Sequence, residues 1–225
     1  IDLAGLVVVY WLAIGAAGLL APRSILLVGR TLFPLGAAGS LFLAAAGFAA
    51  LKGGAETMVL VIGLPDLPFH LRLDALSGLF LILLGTVSAG ISIYAAGYFR
   101  RGEGTPPGLQ CLQYHVFLAS MALVLLADDA YAFMVAWETM ALSSFFLVTS
   151  DHRHAEVRRA GYLYLLVAHV GALGILLSFG VLQGNTGDYT FANMRAVAHT
   201  GWWATAAFAL ALFGFGAKAG LLPLH

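Results

Sequence analysis

Charge is what this sequence has least of. Of 225 residues only 10% are Asp, Glu, Lys or Arg, against roughly 25% in a soluble domain, and its 11 basic and 11 acidic side chains cancel. The electrostatic footprint of a nucleic-acid binder is therefore absent. A single cysteine, Cys111, cannot close an internal disulfide and has no cysteine partner for a metal centre, so no cysteine-held cofactor is expected in this chain. There is no phosphate-cradling glycine loop after a strand, no HExxH and no nucleophile elbow. What the chain has instead is apolar length: 61% of its residues are hydrophobic and its mean hydropathy is +0.92.

A membrane-spanning helix needs about 20 mostly apolar residues, because a hydrocarbon core roughly 30 Å thick is crossed at about 1.5 Å per residue. Seven segments qualify: Leu3–Leu20, Thr31–Leu51, Leu76–Tyr98, Leu112–Ala127, Tyr131–Thr149, Ala160–Leu182 and Trp202–Leu222. The expected fold is an all-α integral membrane protein of about seven transmembrane helices, with a broken helix at the C-terminal end. The first segment is too long and has no charged lead or small-residue cleavage site, so it is read as a span and not as a signal peptide. Alternate loops differ in Lys and Arg. Arg23, Arg30, Arg100, Arg101, Arg153, Arg158 and Arg159 lie on one side, Lys52, Arg72 and Arg195 on the other. Cytoplasmic loops retain positive charge, so the arginine-rich side is assigned to the cytoplasm and the N-terminus to the outside, in a multi-pass protein of the cell inner membrane.

Between the second and third spans, residues 53–72 include a strand-like stretch, Met58–Ile62, and a run, Leu64-Pro65-Asp66-Leu67-Pro68, that cannot continue a helix. An external hairpin or loop is expected there. Gly102–Gly108 reads as a cytoplasmic turn and Gly184–Gly187 opens an external connection. Asp128-Asp129 leaves almost no loop between the fourth and fifth spans, which makes them antiparallel neighbours. The chain divides into an N-terminal three-helix segment, 1–110, and a second unit, 111–225. The many glycines within the spans read as sites of close helix packing.

An ionisable side chain deep in a bilayer costs about 2.5–3.5 kcal/mol or more, so each demands a reason. Glu138 lies about 12 Å along the fifth span, near mid-membrane. Lys218 lies late in the seventh, among Gly214, Gly216 and Gly220 and ahead of Pro223, which breaks a helix; broken membrane helices line ion pathways. A carboxylate and an ammonium brought together would offset each other's burial, either as a static strut or as a working proton site. His169, in the sixth span, is a candidate relay between water and Lys218 or a satisfied core histidine. Ser144 and His225 are possible secondary relays. His115 beside Cys111 reads as packing, and His152 and His154 lack the further ligands a metal would need.

The run Trp137-Glu138-Thr139-Met140-Ala141-Leu142-Ser143-Ser144-Phe145-Phe146-Leu147-Val148, followed by the Lys218 segment ending Pro223-Leu224-His225, resembles the antiporter-like membrane subunits of respiratory complex I, Mrp-type antiporters and group 4 membrane-bound hydrogenases. Gly214–His225 and Gly63–Gly78 look most like the branch of hydrogenase-4 component B and the formate hydrogenlyase membrane subunit. The resemblance implies that Glu138 and Lys218 form the core of a proton half-channel. It places His169 and Ala172 where complex I relatives often carry Arg and Asp. Family members have about twice as many spans, so an N-terminal fragment holding a truncated first half-channel repeat is expected.

With these residues, the resemblance implies a non-catalytic, proton-translocating subunit of a redox-driven complex of hydrogenase or NADH-quinone oxidoreductase type, with a Glu138–Lys218–His169 relay. NiFe and iron–sulfur centres or flavin would reside in partner subunits, both membrane-embedded and peripheral. A stand-alone Mrp-type cation/proton antiporter and a structural membrane anchor are the alternatives.

Overall fold

The computed structural model describes residues 1–98 and 104–221. Arg100, Arg101, Pro223 and His225 lie outside the described residues, as does the start of the Gly102–Gly108 turn.

Six helices among the described residues are long and apolar enough to cross a membrane: α1 (Asp2–Leu20), α2 (Ile25–Lys52), α3 (Ala75–Ala95), α4 (Pro107–Leu126), α5 (Ala130–Val148) and α6 (Ala155–Leu182). The seventh expected span is the 18-residue helix α7, Trp202–Ala219. It is less apolar, because it opens on two tryptophans and carries Lys218. Residues turned outward on these helices, such as Leu41, Leu83, Leu173 and Leu177, are exposed, which is how a helix satisfies its backbone internally and presents side chains to lipid.

The boundaries have local causes. The second helix starts earlier than hydropathy suggests because Ser24 caps it, accepting from the Leu27 N–H at 3.2 Å. It then passes through a π turn at Val28–Leu32; Pro34, just beyond, has no N–H for the regular ladder, so the turn widens there. Asp74 caps α3 by accepting from Ser77 N–H at 3.0 Å, and Asp129 caps α5 by accepting from Ala132 N–H at 2.6 Å. The sixth helix begins at Ala155, five residues before the expected start, and its 28 residues extend about 42 Å. Its first turns carry Arg158 and Arg159 clear of the hydrocarbon.

Residues 53–72 form most of an antiparallel hairpin, β1 (Glu56–Leu64) with β2 (Leu67–Leu73). Its turn puts Pro65 at the second position and Asp66 at the third with φ 66°, the left-handed conformation a type II turn requires.

The bundle has two polar edges. On one, Asp128 N–H donates to His70 O at 2.8 Å, and Ala130 N–H donates to Tyr189 O at 3.0 Å. Asp129 is completely buried there, accepting from the His70 backbone N–H at 2.6 Å with His70 Nδ1 3.1 Å away. On the other edge, Gly108 N–H donates to Pro22 O and Thr105 N–H to Ser150 O, each at 2.8 Å. The two edges separate the chain's connections as the arginine count does. Between them the main core gathers Trp11, Leu43, Leu81, Leu118 and Leu126 from α1–α4.

Candidate functional site

Helices α5, α6 and α7 bring the predicted ionisable residues to one region, but not in the expected pairs. Glu138 Oε2 lies 2.9 Å from His169 Nδ1, a contact between α5 and α6. Lys218 Nζ donates to the Tyr164 hydroxyl at 2.5 Å, and its ammonium lies 4.8 Å from the centre of the same ring. The Tyr164 hydroxyl is in turn bonded to Ser144 Oγ, and Ser144 Oγ donates to Ala141 O at 3.1 Å. The donors therefore run in one direction: ammonium to phenol, phenol to serine, serine to carbonyl. No ion pair within 4 Å joins Glu138 to Lys218 among the described residues.

Helix geometry explains the separation. Ser144 stands six residues beyond Glu138 on α5, and Tyr164 five before His169 on α6, so the two contacts are rungs about 8–9 Å apart along the helices. Lys218 meets the lower rung because α7 stops there. Gly220 adopts the left-handed conformation (φ 71°, ψ 34°), and Leu221 N–H folds back to Gly216 O at 3.0 Å, the bonding of a Schellman C-cap. The stop is thus built at Gly216 and Gly220, while Pro223 lies outside the described residues. Lys218 falls in the last turn, where unsatisfied carbonyls and the helix dipole favour a cation.

The sequence supports this placement locally. Gly214 packs directly on α6: a Cβ there would come within 2.6 Å of Gly171 O and of the Ile175 side chain. That close approach lets Lys218, one turn on, reach across to Tyr164. A cavity of about 390 Å³ lies over the ammonium, lined by Ala160, Tyr164, Ala168, Ala217 and Lys218 among others. The Glu138–His169 rung is less covered, with side chains 38% and 51% exposed. Beyond it, toward the hairpin edge, rings close ranks. Phe133 stacks on Trp137 at 5.3 Å, Phe215 stands edge-on to Trp137 at 5.6 Å, and Phe179 meets Phe133 at 5.5 Å.

The other histidines stand elsewhere. His115 is fully buried and its Nδ1 lies 2.8 Å from Cys111 O. His154 contacts Asp151 at 3.3 Å in the α5–α6 loop, and Ala172 is packed in the core. Among the described residues no three His, Cys, Asp or Glu side chains converge as a metal shell would require. Tyr164 is the site residue that sequence reasoning missed. The available signal was a phenol inside an apolar span, which needs a partner for its hydroxyl.

Apolar spans carrying ionisable groups on facing helices define a multi-pass membrane protein with a polar interior. Residues 127–225 match the family described as NADH:quinone oxidoreductase/Mrp antiporter, TM. Hydrogenase-4 component B of Escherichia coli (strain K12) is 37% identical over 155 residues, covering 69% of this chain and 23% of that protein. Formate hydrogenlyase subunit 3 of the same strain is 28% identical over 197 residues, covering 84% of this chain and 29% of that protein. In fold, the chain matches one from the Mrp complex of Dietzia sp. DQ12-45-1b with a TM-score of 0.81 at 22% identity, over 100% of this chain and 24% of that one. The protein belongs to the antiporter-like membrane subunits of the complex I, membrane-bound hydrogenase and Mrp family. It spans about a quarter of the length of these curated relatives.

Proposed function

We propose that this chain translocates protons within a redox-driven complex of hydrogenase or NADH-quinone oxidoreductase type in the cell inner membrane. Electron transfer would take place on NiFe, iron–sulfur or flavin centres of partner subunits, and this chain would contribute no catalytic residue to it. The observation that carries the reading is Lys218: an ammonium in the last turn of a stopped helix, donating into a Tyr164–Ser144 hydroxyl chain.

Lys218 holds a proton at the floor of its cavity and releases it to the Tyr164 hydroxyl. Ser144 turns its hydroxyl away from the Ala141 carbonyl, and water entering between the half-exposed rungs would carry the proton over the remaining about 8–9 Å. Glu138 and His169 receive it and, through their charge, bias whether Lys218 stays protonated. Across the about 8–9 Å between the rungs, opposite charges interact by about 2 kcal/mol at an effective dielectric near 20, comparable with the about 2.3 kcal/mol that one charge crossing 100 mV requires. The ring cluster of Phe133, Trp137, Phe179 and Phe215 keeps water of the hairpin edge away from this rung, which makes the path a half-channel that opens toward the arginine-rich edge.

The test is redox-driven proton translocation by the intact complex in sealed vesicles containing a pH-sensitive dye. Lys218→Met should abolish acidification while electron transfer continues, and Lys218→Arg should not restore it, because a guanidinium does not release its proton. Undiminished pumping by Lys218→Met refutes the assignment. Proton movement driven by a sodium gradient without an electron donor would instead identify a stand-alone cation/proton antiporter.

A further inference from the structure

A second cavity, of about 750 Å³, opens on the flank of the bundle where α4, α5 and α6 meet. Leu109, Val116, Leu142, Phe146 and Leu165 line its length, and Thr105, His152 and Arg158 stand at its mouth. We propose that this groove binds one anionic phospholipid, its acyl chain lying along α5 and its phosphate at Arg158. The inference is independent of the proton path.

The groove's walls are more apolar than their residue types suggest. Thr139 Oγ1 donates to Val135 O at 2.7 Å, Ser143 Oγ to Thr139 O at 2.7 Å, and Thr149 Oγ1 to Phe145 O at 2.8 Å. Each hydroxyl is turned onto its own helix, so these residues offer methyl and methylene groups to an occupant. From Leu142 to Thr149 the α5 wall runs about 10 Å, which accommodates the upper part of an extended acyl chain.

The mouth is cationic and held in place. Arg158 Nη1 donates to His152 O at 2.8 Å and to Arg153 O at 3.0 Å, which fixes the guanidinium across the α5–α6 loop. Among the described residues Arg158 makes no ion pair with a carboxylate, whereas the nearby Asp151 is engaged by His154. A planar guanidinium with free donors suits a phosphate. Its place on the arginine-rich edge matches the anionic cytoplasmic leaflet, where basic pockets between membrane helices bind lipid head groups. Apolar walls alone do not select an occupant, because lipid tails are as apolar as leucine. The charge at the mouth therefore makes the choice, and it favours an anionic lipid over a zwitterionic one.

The test uses the intact complex in vesicles of equimolar phosphatidylglycerol and phosphatidylcholine, doped with either lipid carrying a photoreactive diazirine on its acyl chain. Mass spectrometry then locates the cross-links. Phosphatidylglycerol should label Leu142–Phe146 and Leu109–Val116 several-fold more than phosphatidylcholine does. Arg158→Gln should lower that labelling roughly fivefold, the worth of one basic residue at the surface, and Arg158→Lys should retain most of it. Leu142→Trp, which fills the groove, should abolish it without touching the mouth. Equal labelling by the two lipids, indifference to Arg158→Gln, or absence of labelling because a protein segment of the complex fills the groove would each overturn the proposal.

Discussion

At the residue scale, the phenol of Tyr164 is the junction of the candidate path. It accepts from Lys218 and donates to Ser144, so removing one oxygen interrupts the chain while leaving the ring under the ammonium. Tyr164→Phe should slow redox-linked proton translocation by about tenfold, in keeping with the about 1.5–3 kcal/mol of a hydrogen bond to a charged group. The thermal unfolding midpoint should change little, since the ring and its packing remain. Vesicle acidification measured beside scanning fluorimetry separates the two effects; an unchanged translocation rate would remove Tyr164 from the path. Glu138 and Lys218 stand out in the sequence because ionisable groups are so scarce in apolar spans, and both prove to lie on the α5–α6–α7 contact. Their actual partners do not stand out, because pairing depends on the vertical offset between helices, set by where α7 stops.

At the element scale, two junctions decide the geometry. The α6–α7 seam depends on backbone approach at Gly214, where an added methyl would meet Gly171 and Ile175. Gly214→Ala should therefore destabilise the chain by about 1–3 kcal/mol, the cost of overpacking, and lift Lys218 from Tyr164. Gly180→Ala on the same α6 is the control, since nothing lies within 4 Å of a Cβ there. Comparable unfolding midpoints for the two variants would contradict the seam. The second junction, between hairpin and α3, is pH-dependent. The Ser77 N–H bonded to Asp74, with Arg72 also nearby, holds its carboxyl below the ordinary value of 3.8. A depressed carboxyl contributes stability above its unfolded value, and that contribution is lost as pH falls through the folded one. Protection of the Ser77 amide, measured against its intrinsic exchange rate, should therefore fall below about pH 4, and Asp74→Asn should erase that dependence.

These elements also show which parts of the fold are legible in the chain. Helix positions follow from hydropathy because a bilayer selects by length and apolarity. The π turn before Pro34 and the early start of α6 escape notice, since both arise from backbone bonding and charged first turns. Asp129 reads as a mere separator between spans, yet it is fully buried and ties His70 to the start of α5. Only the folded return of the hairpin over the α4–α5 link supplies that partner.

At the scale of the whole molecule, two polar edges enclose a membrane-spanning bundle, and the Glu138–His169 and Lys218–Tyr164–Ser144 contacts lie between them on α5, α6 and α7. The rings of Phe133, Trp137 and Phe215 pack together on the hairpin side of the Glu138–His169 contact. A scaffold whose ionisable groups only lock helices would share this architecture but would tolerate their joint removal. The most direct test is the number of protons moved per electron pair by the intact complex carrying Glu138→Gln and Lys218→Met together. A working Glu138–Lys218 site gives continued electron transfer with proton translocation lost, whereas a proton-to-electron ratio equal to that of the unaltered complex would overturn that role.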